Sequence, residues 1–177
     1  MLSPKFLLST QHSALSTHSS HSLMNAPIFS DKQSTQMKGE KYIIFCLGAK
    51  FFAVPSKKVS EVVQRLSITP LPNVPGWLLG IADLRGGIIS IVSLQKLLGA
   101  PDAALSSKSK FIVLKIQDFP ASVALAVDRL SEIIVLPNEE IQPVESKKMP
   151  LLLGQATYQS YALNLLNVDN LLASLTI

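Results

Sequence analysis

The side chains that could perform chemistry are sparse in this 177-residue sequence. All three histidines, His12, His18 and His21, lie within residues 1–38, so no histidine-based triad or metal site can form in the rest of the chain. The sequence also lacks the phosphate-binding patterns GxGxxG and GxxxxGKS/T and the serine-nucleophile pattern GxSxG. We therefore predict no catalytic residues, no metal site and no cofactor.

The remaining acids and the single cysteine do not form a recognisable set of catalytic residues. The carboxylates Glu61, Asp83, Asp128 and Glu132 stand apart from one another in the sequence. Cys46 lies within an apolar run, where a small buried side chain is the usual role of an unpaired cysteine. One cysteine allows neither an intrachain disulfide nor a thiolate zinc site, which is compatible with a reducing, cytoplasmic location. Binding of other proteins is the function class that remains.

Charge and hydropathy exclude two further classes of partner. Residues 1–38 contain three lysines and one aspartate, so they account for half of the net charge of +4. The rest of the chain is nearly neutral and has no cluster of basic and aromatic residues, so we predict no nucleic-acid binding. No apolar run approaches the roughly 20 residues that span a bilayer, so we predict no membrane insertion.

One charged side chain does stand out, at the turn of an apolar hairpin. Residues 76–99 are predicted to form two short strands, a polar turn at 83–87 and a helix at 94–98. Arg85 is the only arginine in this segment and precedes two glycines. A fixed charge at such a tip is either solvated or a contact point for a partner.

The elements around this hairpin follow from apolar runs and turn residues. Residues 1–38, rich in serine, threonine, glutamine and histidine, are predicted to form a disordered tail. Residues 42–47 and 51–54 are predicted strands joined by a glycine-containing turn. The spacing of apolar residues in 59–66 fits a helical turn, but the β-branched valines fit a strand equally well. Residues 110–116, 122–127 and 161–166 are predicted strands, and a helix is predicted from 168 to 175.

The two halves of the sequence follow the same plan. Residues 78–80, 91–92 and 97–98 match residues 152–154, 165–166 and 171–172 with a constant offset of 74. We therefore predict two similar subdomains of about five short strands each, which share apolar surface and leave a groove between them. The offset places Gln159 opposite Arg85, so only the first hairpin carries the charges of Asp83 and Arg85. This asymmetry favours a contact role for Arg85.

Three segments resemble the CheW family of chemotaxis coupling proteins. They are residues 42–63 (YIIFCLGAKFFAVPSKKVSEVV), 71–94 (LPNVPGWLLGIADLRGGIISIVSL) and 111–137 (FIVLKIQDFPASVALAVDRLSEIIVLP). The family pattern NLRGxxxPxxDL is similar to residues 83–94, DLRGGIISIVSL, which keep Arg85 and Gly86. The pattern's asparagine, proline and aspartate are replaced by Asp83, Ser90 and Ser93.

The resemblance implies a mainly β fold of two intertwined, five-stranded Src-homology-3-like barrels with short helices. Residues 39–177 would form this domain, with subdomains at roughly 48–105 and 110–165 that exchange flanking strands. It also implies a non-catalytic, cytoplasmic adaptor without cofactors. Its partners would be the regulatory domain of a CheA-type histidine kinase and the cytoplasmic tip of a chemoreceptor, the latter bound in the groove between barrels.

By position in the family's motifs, the resemblance implies seven partner-binding residues: Val59, Glu61, Val62, Gly80, Asp83, Arg85 and Gly86. Asp83 could pair locally with Arg85, although an exposed ion pair contributes only about 0–1 kcal/mol. Because the motif departs from the family pattern at three positions, two alternatives to a role in swimming chemotaxis stay open. One is a regulator of type IV pilus twitching or phototaxis, and the other is a two-barrel protein-binding module outside chemotaxis.

Overall fold

The computed structural model describes residues 38–100, 104–116, 122–145 and 147–175. The strands are β1 (Glu40–Leu47), β2 (Lys50–Pro55), β3 (Val59–Val63), β4 (Leu78–Leu84), β5 (Gly87–Ser93), β6 (Lys110–Leu114), β7 (Ser122–Val127), β8 (Arg129–Leu136), β9 (Gln142–Pro143), β10 (Leu152–Tyr158) and β11 (Tyr161–Leu166). Two short α-helices, α1 (Leu94–Leu97) and α2 (Val168–Ser174), follow β5 and β11.

The strands form two mixed sheets. One has six strands in the order β8-β1-β2-β11-β10-β9, and the other has five in the order β3-β6-β7-β5-β4. The predicted mainly β, two-subdomain fold class is confirmed, with the two-residue strand β9 as an addition to one sheet. Each half of the chain contributes to both sheets, because the β1–β2 hairpin joins strands from the second half and β6–β7 joins strands from the first.

The two sheets share one connection pattern, as the duplication in the sequence predicts. An antiparallel hairpin, β4–β5 or β10–β11, pairs in parallel with the second strand of an exchanged hairpin, β7 or β2. Equivalent register shifts occur between Leu78 and Gly80 and between Leu152 and Gly154. Positions that are 74 residues apart therefore have equivalent backbone geometry as well as similar residue types.

In the described part of the chain, three clusters of apolar side chains stabilise the sheets. One lies within the six-stranded sheet, around Ile44 and Leu163, and one within the five-stranded sheet, around Ile91 and Phe111. The largest cluster combines residues from both sheets and both helices, including Phe45, Leu125 and Leu171. The expected sharing of apolar surface between subdomains is present, which suits barrels too small to bury a sufficient core alone.

Residues 59–66 were compatible with either a helix or a strand, and in the structure Val59–Val63 form strand β3 while residues 64–66 lie outside it. β3 pairs antiparallel with β6, with Val62 opposite Ile112 and Val63 opposite Phe111. Its β-branched side chains suit this half-buried edge position. The chain then leaves the sheet, and Thr69 forms an isolated bridge to Ile81 on β4.

Several predictions fall partly or wholly outside the described residues. The predicted tail is one of them, apart from Lys38, and the predicted domain at 39–177 is another, because residues 101–103, 117–121, 146 and 176–177 are not among those described. The subdomain boundaries at 48–105 and 110–165 stay a prediction. Within the described part of the chain, no helix has the length and hydropathy to cross a bilayer.

Gly80 is required by close backbone packing at the bulge in β4. Its φ is 142°, and a Cβ atom placed there would lie 2.2 Å from the Thr69 carbonyl oxygen. Gly80→Ala is therefore expected to lower the free energy of unfolding by about 3 kcal/mol or more. Urea denaturation of purified protein measures this change.

Gly76→Ala is the matched control, because a Cβ atom at Gly76 would meet nothing within 4 Å and its φ is not in the left-handed region. We expect it to change stability by less than about 1 kcal/mol. Equal effects of the two substitutions would contradict the steric argument.

Candidate functional site

The predicted contact residue Arg85 lies in the two-residue loop of the β4–β5 hairpin. Leu84 pairs with Gly87, which leaves Arg85 and Gly86 as the loop, with φ values of 55° and 81°. Two positive φ values in succession are the geometry of a type I′ turn, which matches the twist of the flanking strands. The backbone N–H of Gly86 donates to Oδ1 of Asp83 at 3.3 Å, which holds the turn.

Arg85 forms an ion pair with Glu61 on β3, and not with Asp83. Nη2 of Arg85 donates to Oε2 of Glu61 at 2.9 Å. The local Asp83–Arg85 pair considered from the sequence is thus corrected, because the Asp83 carboxylate is directed at the turn backbone. Since β3 and β4 are the two edges of the five-stranded sheet, the ion pair joins those edges at the tip of the hairpin.

Most of the Arg85 side chain faces solvent. Its exposed fraction is 79%, against 28% for Glu61. A pair this exposed contributes at most about 1 kcal/mol, so it orients Arg85 without sequestering it. Beside it, Ile88 is 70% exposed and is the cross-strand partner of Asp83. The tip therefore presents a cation (Arg85), an anion (Asp83) and an apolar side chain (Ile88) close together in one hairpin.

The other predicted site residues are divided between this tip and the sheet beneath it. Val59 and Val62 lie on β3 with Glu61 but are half-buried, and both pack against the cluster shared by the two sheets. Gly80 is buried at the bulge of β4. The structure thus brings Glu61, Asp83, Arg85 and Gly86 together at the surface and places Val59, Val62 and Gly80 as support.

The β10–β11 hairpin carries an equivalent tip with different side chains. Its loop residues Gln159 and Ser160 have φ values of 46° and 68°. Nε2 of Gln159 lies 3.4 Å from Oε1 of Glu132 on β8, in the same relation as Arg85 to Glu61. Sequence reasoning placed Gln159 opposite Arg85 but missed this contact. The sequence did contain a signal for this contact. Residues 59–63 (VSEVV) align with residues 130–134 (LSEII), which places Glu132 at the position equivalent to Glu61.

Tyr158 gives the second tip an acid-linked hydrogen bond. Its hydroxyl donates to Oε1 of Glu132, and the oxygen of Ser131 lies 3.5 Å from it. The hydrogen bond to Glu132 raises the pKa of Tyr158, because loss of the phenol proton would place two anions side by side. The first tip has Leu84 at this position, so the two tips differ in both charge and hydrogen bonding.

Metal-ligand clusters and reactive thiols are two further features that could give a site chemistry. No group of three or more histidine, cysteine, aspartate or glutamate side chains in the described ranges is arranged to hold a metal ion. Cys46 is buried in β1, and burial raises the pKa of its thiol above the ordinary value. A thiol in that state is a packing residue and a poor nucleophile.

Removing the charge of Glu132 is expected to lower the pKa of Tyr158. In Glu132→Gln the partner of the hydroxyl is neutral, so the tyrosinate forms at a lower pH than in the parent protein. Tyrosinate absorbance followed through an alkaline titration measures the change. Burial raises the pKa of Tyr42 to about 12, so Tyr42 remains protonated over most of that range.

Glu61→Gln is the matched control, since it neutralises the equivalent acid of the first tip, where no tyrosine lies. It is expected to leave the tyrosine titration unchanged. An identical shift in both variants would mean that net charge, and not the hydrogen bond, sets the pKa of Tyr158.

Comparison with known proteins identifies the family of this chain. Residues 41–176 match the family model described as the CheW-like domain. The chain is 27% identical over 113 residues to chemotaxis protein CheW of Helicobacter pylori, covering 64% of this chain and 67% of that protein. It is 30% identical over 114 residues to protein PilI of Pseudomonas aeruginosa, covering 62% of this chain and 63% of the relative.

A solved structure shows the same fold. The crystal structure of the scaffolding protein TtCheW from Thermoanaerobacter tengcongensis superposes with a TM-score of 0.66 at 27% identity, covering 73% of this chain and 89% of that one. The sequence matches span about two thirds of the length of the relatives named above. With a family match that extends over most of the described strands and both helices, this chain belongs to the CheW-like domain family.

Proposed function

We propose that this protein is a non-catalytic adaptor that couples a chemoreceptor to a CheA-type histidine kinase in chemotaxis or motility signalling. Support comes from its membership of the CheW-like family and from relatives named as chemotaxis proteins and as a scaffolding protein. The proposed partners are the regulatory domain of the kinase and the cytoplasmic tip of the receptor. The adaptor would act in the cytoplasm, without a cofactor and without binding nucleic acid or inserting into a membrane.

The observation that carries this proposal is the exposed, oriented cation at the β4–β5 tip. An adaptor works by presenting a preformed surface, and a preformed surface loses less entropy on binding than a mobile one. The type I′ loop and the ion pair with Glu61 orient Arg85 at the edge of the five-stranded sheet while leaving its side chain 79% exposed. The guanidinium group has five donors, and the pair with Glu61 uses one of its terminal nitrogens.

A carboxylate from a partner can therefore bind Arg85 in two ways. It can use the remaining donors while Glu61 stays in place, or it can displace Glu61 at a cost of about 1 kcal/mol or less. Burial of Ile88 at the same contact would add apolar area to the interaction. Asp83 and Gly86 shape the loop that presents the cation, and Val59, Val62 and Gly80 hold the strands beneath it.

A second candidate is a CheW-like regulator in a pilus-based or phototactic motility system. Protein PilI matches this chain at 30% identity, which is similar to the 27% of the named CheW relative. The departures at Asp83, Ser90 and Ser93 alter the family motif that contains the tip, so this candidate fits the sequence as well as a role in swimming does. Both candidates use the same adaptor surface, and they differ in the kinase and receptor that bind it.

Charge reversal at the tip tests the proposal. Arg85→Glu is expected to weaken binding of a candidate kinase regulatory domain or receptor tip by about tenfold or more, because it places an anion beside Glu61 and opposite the partner's acid. Co-purification identifies the partners, and calorimetry measures the affinity. If Arg85→Glu binds both partners as tightly as the parent protein, Arg85 is not the contact.

Gln159→Glu is the matched control for this variant. It adds an anion at the equivalent turn position of the second hairpin, beside Glu132. It is expected to leave intact the binding that depends on the first tip.

A phosphotransfer assay with purified kinase tests the non-catalytic part of the proposal, since any turnover by this chain alone would contradict it.

A further inference from the structure

A cavity of about 490 Å³ lies between two loops at one end of the five-stranded sheet. One loop, residues 64–68, follows β3, and the other, residues 105–109, precedes β6. We call this space the loop cavity. Its volume lies within the range of small-molecule sites in proteins. None of the seven predicted partner-binding residues lines it, so the loop cavity is separate from the Arg85 tip.

Part of the lining of the loop cavity is apolar. Phe111 is 5% exposed and belongs to the cluster within the five-stranded sheet, and Leu66 and Ile68 pack against the same cluster. Leu105, which lines the cavity from the other loop, is 45% exposed. Apolar surface that the protein itself leaves uncovered is stabilised when it contacts the apolar body of a ligand.

The polar part of the lining supplies hydrogen-bond donors and one positive charge. Among the described residues that line the cavity, Arg65 is the one with a charged side chain, and it forms no ion pair with another described residue. A guanidinium group can donate two parallel hydrogen bonds to one carboxylate. The remaining polar lining residues carry one amide and four hydroxyls: Gln64, Ser67, Ser106, Ser107 and Ser109.

Two of these hydroxyls have an unused proton. Oγ of Ser109 accepts from the backbone N–H of Ser106 at 2.9 Å, and Oγ of Ser106 accepts from the backbone N–H of Lys108 at 3.1 Å. Neither hydroxyl donates to an acceptor in the described part of the chain, although Ser109 is only 5% exposed. A buried donor is stabilised when it gains an acceptor, and an anionic oxygen in the cavity would be one.

Hydrogen bonds hold both loops in place. The first loop is anchored at one end by the pairing of β3 with β6 and at the other by two backbone hydrogen bonds between Thr69 and Ile81, at 2.7 and 2.9 Å. The second loop closes on itself, because the backbone N–H of Ser109 donates to the Ser106 carbonyl at 3.1 Å. Walls that are already ordered lose little conformational entropy when a ligand binds.

We propose that the loop cavity binds a small aryl or alkyl monocarboxylate. The carboxylate would pair with Arg65 and accept from the hydroxyls of Ser106 and Ser109. The apolar body would contact Phe111 and Leu105. A single cation matches one negative charge, whereas a phosphate monoester carries nearly two at neutral pH and is matched less well. The site does not depend on the adaptor function proposed above.

Titration of the isotope-labelled full chain with naphthylacetate tests this proposal. Backbone amide resonances show where the probe binds, and calorimetry measures its affinity. Resonances of residues 64–68 and 105–109 are expected to shift. Naphthylacetamide has the same apolar body without the charge, so it is expected to bind about tenfold more weakly or worse. Inorganic phosphate has charge but no apolar body and is also expected to bind more weakly.

A pair of variants identifies the cation that the carboxylate contacts. Arg65→Gln is expected to weaken naphthylacetate binding by about tenfold or more, because it removes both the charge and the paired donors. Lys108→Gln is the matched control, since it removes a charge from the second loop at a side chain outside the cavity lining. It is expected to change binding by less than about twofold, because solvent screens an exposed charge. Naphthylacetamide should bind both variants as it binds the parent chain.

Each of four results would overturn the proposal. The first is that millimolar naphthylacetate leaves the resonances of both loops unshifted. The second is equal affinity for the acid and the amide, and the third is that inorganic phosphate binds as tightly as the acid. The fourth is an equal loss of affinity in Arg65→Gln and Lys108→Gln. Thermal unfolding verifies that both variants are folded, and neither variant nor probe involves the Arg85 tip.

Discussion

The parallel pairing of strands from opposite halves of the chain is the constraint on which the remaining structure depends. β2 pairs with β11 and β5 pairs with β7, so neither sheet is complete until both halves are present. The Asn164 side chain bonds the Phe51 carbonyl across 113 positions of sequence. Contacts between residues so far apart in the sequence require a large loss of chain entropy. This loss is offset only when the shared apolar cluster forms around them. The two subdomains should consequently fold as one cooperative unit, despite their separate cores.

Much of this architecture was available from the sequence, because local signals and the global fold agree. Alternating apolar runs and glycine-containing turns predicted the β1–β2 and β4–β5 hairpins and both helices. The offset of 74 predicted that the hairpins would be equivalent, and the structure extends that equivalence to the bulges at Gly80 and Gly154 and to the positive φ values of Arg85 and Gln159. The exception was residues 59–66, where local pattern could not separate helix from strand and pairing with β6 decided the outcome.

The candidate site was less predictable, because its contacts arise from closure of the sheets. Sequence proximity suggested that Asp83 would hold Arg85. Asp83 instead accepts the turn N–H of Gly86, and Arg85 reaches Glu61, which is 24 positions away but on the facing edge of the same sheet. A groove was predicted between the subdomains, and the resemblance implied that a receptor tip binds there. Its walls come from β1–β2, α1 and β10–β11, three segments whose adjacency follows from the exchange of hairpins and from no local pattern.

The duplication also gives one small domain two equivalent turns with unlike surfaces. Both tips have the same type I′ backbone and an acid on the neighbouring edge strand, so their differences lie in side chains alone. In the first, a cation is paired weakly and stays largely exposed, whereas in the second a neutral amide and a tyrosine hydroxyl surround Glu132. Under the adaptor function proposed above, a partner acid that pairs with Arg85 would meet no cation at the second tip. The two tips would then be distinguished by side-chain charge, without any difference in fold.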